Sequence, residues 1–181
     1  MLAHSGIEAT LRGMIEKIIS GGQTGADIAG LDVAIRHNFP HGGWCPAGRK
    51  SLAGPIPLRY NLTETSSASY LVRTEWNVRD SDGTVVFTLA KEATGGSLKT
   101  IQFAAKHGKP CIHLPQKSGR YDEPAILLQQ FVADHGIKVL NVAGSREEKE
   151  PGINAWAMSV LEDAFFWAEN NPGKLGGQGE G

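Results

Sequence analysis

The sequence offers little that would commit it to a membrane, a secretory route or a polyanion. Only two of its 181 residues are cysteine. Two thiols cannot build a disulfide framework, so a reducing, cytoplasmic setting is the expectation. No window approaches the ~18 uninterrupted apolar residues of a membrane span. The opening MLAHSGIEATLRGM lacks the basic start and apolar stretch of a secretory signal. Charge of one sign is missing too: 18 Lys and Arg against 19 Asp and Glu leave a formal net charge of −1. That balance argues against non-specific nucleic-acid or membrane-surface contact, which both need a one-signed field. The 6 histidines are scattered along the chain, so no metal site is expected. Walker A, the dinucleotide fingerprint G-x-G-x-x-G and the nucleophile elbow G-x-S-x-G are all absent.

Glycine, with 23 residues, is abundant. Its placement follows an alternation of strands and helices. Strands are read at Ile15–Ser20, near His41–Trp44, at Thr84–Thr88, at Cys111–Leu114 and at Lys138–Val142. Between and after them the spacing predicts helices over Ile28–Ile35, Tyr70–Arg79, Leu98–His107, Glu123–Asp134 and from Ile153 to Trp167. This pattern predicts an α/β Rossmann-like three-layer sandwich with a mainly parallel sheet of about five strands. The expected domain is a single one over residues 14–170, with an extension over 1–13 and a flexible Gly-rich tail over 171–181. The expected strand order is 2-1-3-4-5, which would set the turns after the first and third strands side by side. Cys45 to Ser69 lacks periodicity, and a loop of that length in a compact domain is usually functional.

Both of those turns carry a glycine pair. Gly21-Gly22-Gln23-Thr24-Gly25 leaves a strand and enters a helix, and Thr94-Gly95-Gly96-Ser97 does the same after the third strand. Glycines allow the sharp turn and clear the way for amides to approach a ligand. The helix N-terminus adds unpaired N–H groups and a positive dipole end, so a phosphate-type anion is expected there. Asp27 either sits well in the helix dipole or has a role at the site, orienting the loop or holding a cation beside a bound phosphate. Around these turns stand further candidates. Arg49, with Lys50, can clamp an anion from the long loop, and Trp44 offers a flat face to a heterocycle. Arg79 is a candidate, although an ion pair with Asp80 or Asp82 is the plainer expectation. Asn141 and Arg146 fall at or near the end of the fifth strand. Cys111 reads as a small buried hydrophobe and Cys45 as a loop cysteine.

Several blocks resemble the molybdenum cofactor carrier family: GGQTGADIAGLDVAI (21–35), GGWCPAGRK (42–50), the stretch 54–88 with RTEWNVRDSD (73–82), TGGS (94–97), GKPCIHL (108–114) and LNVAGSREEKEPGI (140–153). The resemblance spans roughly Glu16 to Leu161. It implies a Rossmann-like fold, a homo-oligomer, molybdoenzyme recipients and a non-catalytic role in binding and protecting the phosphate-bearing molybdenum cofactor, molybdopterin. The chain is also similar to the wider lysine-decarboxylase-like group that includes nucleotide phosphoribohydrolases. Their P-G-G-x-G-T-x-x-E pattern is only half kept. Leu98 replaces the third glycine and Gln102 stands where the acidic residue belongs. The acid/base agent of glycosidic cleavage is then missing from its place.

The expectation is therefore a binding protein that takes a phosphate-bearing heterocycle, with no catalytic residues and no metal ligands assigned. The alternative is a nucleotide-binding enzyme of the phosphoribohydrolase type, using Asp27, Glu75 or Asp80 as acid/base. A third class, single-stranded nucleic-acid binding, is disfavoured by the neutral charge.

Overall fold

The computed structural model describes residues 14–118 and 123–167. The predicted extension 1–13 and the tail 171–181 lie outside the described residues. In chain order the elements are β1 (Lys17–Ile19), α1 (Ala26–Arg36), β2 (His41–Gly42), β3 (Trp44–Cys45), β4 (Thr63–Glu64), α2 (Tyr70–Arg79), β5 (Gly83–Thr88), α3 (Gly95–Lys106), β6 (Cys111–Pro115), α4 (Pro124–His135), β7 (Val139–Gly144) and α5 (Ile153–Phe165).

Five strands form one parallel sheet in the order β2-β1-β7-β5-β6. The expected order 2-1-3-4-5 is thus corrected. The last strand, β7, inserts between β1 and β5, pairing Ile18 with Leu140 on one side and Val85 with Val142 on the other. The chain returns from β6 through α4 and skips over β5 to reach that slot. Its strand is apolar except for Asn141, as a position buried on both sides favours. The consequence for function is direct. The turns after β1 and β5 stand two inter-strand spacings apart, about 10 Å, with the turn after β7 between them.

The two faces of the sheet differ in chemistry. Val85 and Phe87 of β5 and Leu140 and Val142 of β7 join Ala29 and Val33 of α1, Leu128 and Val132 of α4 and Leu161 of α5 in one apolar core. Alternate residues point the other way. These include Thr84, Thr88 and Asn141, all buried, on the side covered by α2 and α3. Asn141 Nδ2 donates to Thr84 Oγ1 across the β7–β5 pair at 3.2 Å. Among the described residues no helix is long and apolar enough to cross a membrane.

The aperiodic stretch after β3 has its own organisation. β3 and β4 pair in parallel as a separate two-stranded sheet, Trp44 with Thr63 and Cys45 with Glu64. A small second core of Leu31, Cys45, Ile56 and Tyr60 lies beneath it. Neither strand was legible, because two-residue strands carry no period.

Candidate functional site at the carboxyl edge of the sheet

β1 is continued by Ser20, whose hydroxyl donates to the Val142 carbonyl at 2.8 Å and ties the strand end to β7. The glycine turn then follows. Gly25 has φ +85° and ψ −126°, a conformation for glycine alone, and a side chain there would overlap the Ser145 carbonyl. The first turn of α1 is largely served from within. Ala26 N–H donates to Ser145 O at 3.1 Å. Gln23 N–H donates to Asp27 Oδ2 at 3.2 Å. Gln23 Oε1 accepts from Thr24 N–H and from Leu52 N–H, at 3.0 and 3.1 Å. Gly21 leaves room for the Arg73 guanidinium.

Asp27 and Arg73 form a buried ion pair at 2.9 Å, with side-chain exposures of 5% and 12%. Burial pushes the Asp27 carboxyl above the usual carboxylate range, and the Arg73 charge opposes that push without cancelling it. Asp27 therefore orients the loop, one of its expected roles. Arg73, which the sequence does not mark as a partner of this turn, comes from the middle of α2.

Beside the turn lies a cavity of about 610 Å³. Its walls come from Gly22, Thr24 and Gly25, from Ile28 of α1, from the 51–60 stretch including Ile56 and Tyr60, and from Glu147, Glu148 and Asn154 near the start of α5. The volume falls in the range of small-molecule sites. Its polar rim was not foreseen; the run REEKE (146–150) was the signal that could have found it. Thr24 Oγ1 donates to Glu148 Oε2 at 2.5 Å. Glu147 accepts from Gly152 N–H and Asn154 N–H at 2.6 and 3.0 Å, capping α5. The Thr24 hydrogen bond holds the Glu148 carboxyl below its ordinary range, helped by its own amide and by nearby Arg146.

The second glycine turn is not part of the cavity wall. Gly95 and Gly96 are exposed, and a Cβ on either would meet no atom within 4 Å. Thr94 makes no side-chain cap on α3, and the first turn of that helix holds no acidic residue. Ser97 is buried. Thr94 Oγ1 accepts from Lys149 Nζ at 2.5 Å. The loop after β7 therefore reaches both glycine turns, through Glu148 to the first and Lys149 to the second. Its Glu150 turns inward, and its carboxylate accepts from Leu89 N–H and Ala90 N–H at 2.8 and 2.9 Å. Burial alone would raise the Glu150 pKa, but these two amides outweigh it and the carboxyl is held low.

The remaining candidates lie elsewhere. Arg49 Nε donates to Ile56 O at 2.8 Å, and its two terminal nitrogens donate to the carbonyls of Leu62, Pro57 and Tyr60. It braces the loop over the cavity. Trp44 Nε1 donates to Asp80 Oδ2 at 2.7 Å, and the ring meets Trp76 edge-on at 4.9 Å. Both main-chain groups of Trp44 are clasped by Asn77, which sequence reasoning missed. Arg79 pairs with Asp80 and lies over Trp76, the plainer of its two expectations. Asn141 sits mid-strand on Thr84, and Arg146 is exposed. Among the described residues no group of three or more His, Cys, Asp or Glu could hold a metal ion. Cys45 is fully buried in the second core, and burial pushes the Cys111 thiol up to about 11.

The sheet order and the helix-flanked layers define a Rossmann-like α/β class, with the cavity at the strands' carboxyl ends. The chain belongs to the Circularly permutated YpsA SLOG family, which it matches over residues 18–165. It is also similar to the crystal structure of "Putative molybdenum carrier protein" from Syntrophus aciditrophicus SB. The identity is 44%, covering 84% of this chain and 96% of that one, with a TM-score of 0.80. No functionally curated protein matches the chain.

Proposed function

We propose that the chain binds a phosphate-bearing heterocycle of the molybdenum cofactor class and carries it unchanged, at the carboxyl edge of the sheet. The observation that carries this reading is the 610 Å³ cavity beside the first glycine turn, at the carboxyl edge of the sheet. The name of the 44% identical relative, a molybdenum carrier, supports the choice of cargo.

The residues present fit the cargo in two parts. The cavity wall contains Glu147 and Glu148 and no Lys or Arg, so it suits a ring and repels a phosphate. The Thr94–Ser97 turn suits the phosphate. Its glycines border open space, the dipole of α3 favours an anion, and Lys149 adds a positive charge. This divides the expected site: the first turn shapes the ring pocket and the second holds the charge. When bound, the cargo would supply its own metal and dithiolene chemistry to the enzyme that receives it; this chain binds and orients it. In this reading the partners are the small anion, a second copy of the chain and that recipient enzyme.

Carriage is favoured over glycosidic cleavage because the three carboxylates considered as acid/base all have internal partners. Asp27 is held by Arg73, Glu75 by Lys106 and His107, and Asp80 by Arg79 and Trp44. The test is calorimetry with molybdenum cofactor, its pterin precursor, AMP and inorganic phosphate. Binding of the cofactor is expected, with about a tenfold loss in Gly96→Asp, which sets a carboxylate at the phosphate turn. Failure of all four ligands to bind at millimolar concentration overturns the reading. Release of free base from nucleoside monophosphates, lost in Asp27→Ala, would replace it with the enzyme.

A further inference from the structure

The cavity has a chemical preference that can be read from its unused hydrogen-bonding capacity. Its apolar walls are Ile28, Ile56, Pro57 and the body of Tyr60. Among its polar groups most are taken. Both oxygens of Glu147 cap α5. The Asn154 amide nitrogen donates to Gly25 O at 3.1 Å. The Tyr60 hydroxyl donates to Asp32 and accepts from Arg59. The Thr24 hydroxyl donates a hydrogen bond to Glu148. Glu148 differs from the rest. Only its Oε2 receives a side-chain hydrogen bond among the described residues, and a carboxylate has about four acceptor sites. The Thr24 hydroxyl fixes its position at the wall, and the group stays ionised.

We infer that Glu148 is the specificity-determining residue of this cavity, accepting paired N–H donors from the edge of a 2-amino-4-oxo-pyrimidine ring. Such an edge carries a ring N–H and an exocyclic amine side by side, matching the two oxygens of one carboxylate. Pterins and guanine carry it; hypoxanthine lacks the amine. The flat apolar walls of Ile56, Pro57 and Tyr60 accept the ring faces. The assignment rests on the carrier reading above and adds which end of the cargo enters the cavity.

The experiment is calorimetry with three uncharged probes, pterin, guanosine and inosine, on the wild-type chain and on Glu148→Gln. Glu148 is exposed, and the amide keeps its shape, so the melting temperature should not move. Wild type is expected to bind pterin and guanosine at least tenfold more tightly than inosine. Glu148→Gln should lose on the order of 10- to 100-fold for pterin and guanosine, because its NH₂ faces the ring's donors. Inosine binding as tightly as guanosine overturns the inference. So does an unchanged pterin affinity in Glu148→Gln. If the phosphate-bearing cofactor binds wild type and variant alike, the ring-reading role falls and the carrier reading stands. If wild type binds neither the neutral rings nor the phosphorylated cofactor, both fall.

Discussion

The two glycine turns look alike as sequence and differ as objects. Gly21–Gly25 is packed by the protein itself, with the Arg73 guanidinium against Gly21 and the Ser145 carbonyl against Gly25. Gly95–Gly96 faces nothing. In the first, glycine is needed because the protein's own atoms fill the space a side chain would take. In the second, the space that a side chain would take is empty. A glycine pair between strand and helix thus reports a backbone bend reliably, and says nothing about who occupies the space beside it.

The sharpest way to break this contrast is to remove the packing of the first turn. Arg73→Met leaves Asp27 buried without its partner and should cost about 3–5 kcal/mol at neutral pH. The pH dependence has a definite sign. The Asp27 carboxyl is already raised by burial, and losing Arg73 raises it further. A group raised in the fold contributes stability below its unfolded pKa and loses it as pH rises through the folded value. The variant should therefore be least impaired near pH 4 and increasingly so above it, as read by urea unfolding across pH. A loss that stays flat with pH would mean that Asp27 is not the group left stranded.

Gly25→Ala comes next, at about 3 kcal/mol, from a forbidden backbone conformation and a clash with main chain that cannot yield. Chemical unfolding measures it, and a loss below about 1 kcal/mol would show that the turn is looser than described. Glu150→Gln tests the neighbouring amides of Leu89 and Ala90, with an expected loss of about 1–2 kcal/mol at pH 7. Because the Glu150 carboxyl is held low, its contribution is complete above the ordinary glutamate value near ~4.3 and vanishes as pH falls through the folded value. Melting curves of wild type and variant should thus converge only as pH falls well below that ordinary value. Gly96→Ala sits at the small end. The site is open and helical, so the substitution should stabilise by about 0.5 kcal/mol. A destabilised Gly96→Ala would reveal a contact at the second turn and erase the contrast.

Much of the fold was legible because it depends on local period. Tyr70–Arg79 is a helix from end to end as the spacing predicts, four strands of the main sheet fall within or beside the expected β-branched and apolar runs, and His41–Gly42 falls within the short strand expected near His41–Trp44. The strand order was not legible, since β7 earns its central place through pairing with residues more than fifty positions away. Nor was the start of α3 at Gly95, three residues before its apolar pattern begins. Site residues fared unevenly for the same reason. Thr24 and the glycines were placed by the bend. Arg49 was read as an anion clamp from its charge alone, and its four carbonyl partners come from a segment without period. Glu147 and Glu148 were given no role from the sequence; the return of β7 to the sheet centre carries them to the cavity.

Arg49 also bears on how a guest would come and go. One guanidinium gathers the carbonyls of Ile56, Pro57, Tyr60 and Leu62 into a single stiff awning over the pocket. A cover braced this way does not swing. The opposite bank, the loop after β7, has no such brace and is moored by the exposed Thr24–Glu148 and Lys149–Thr94 links.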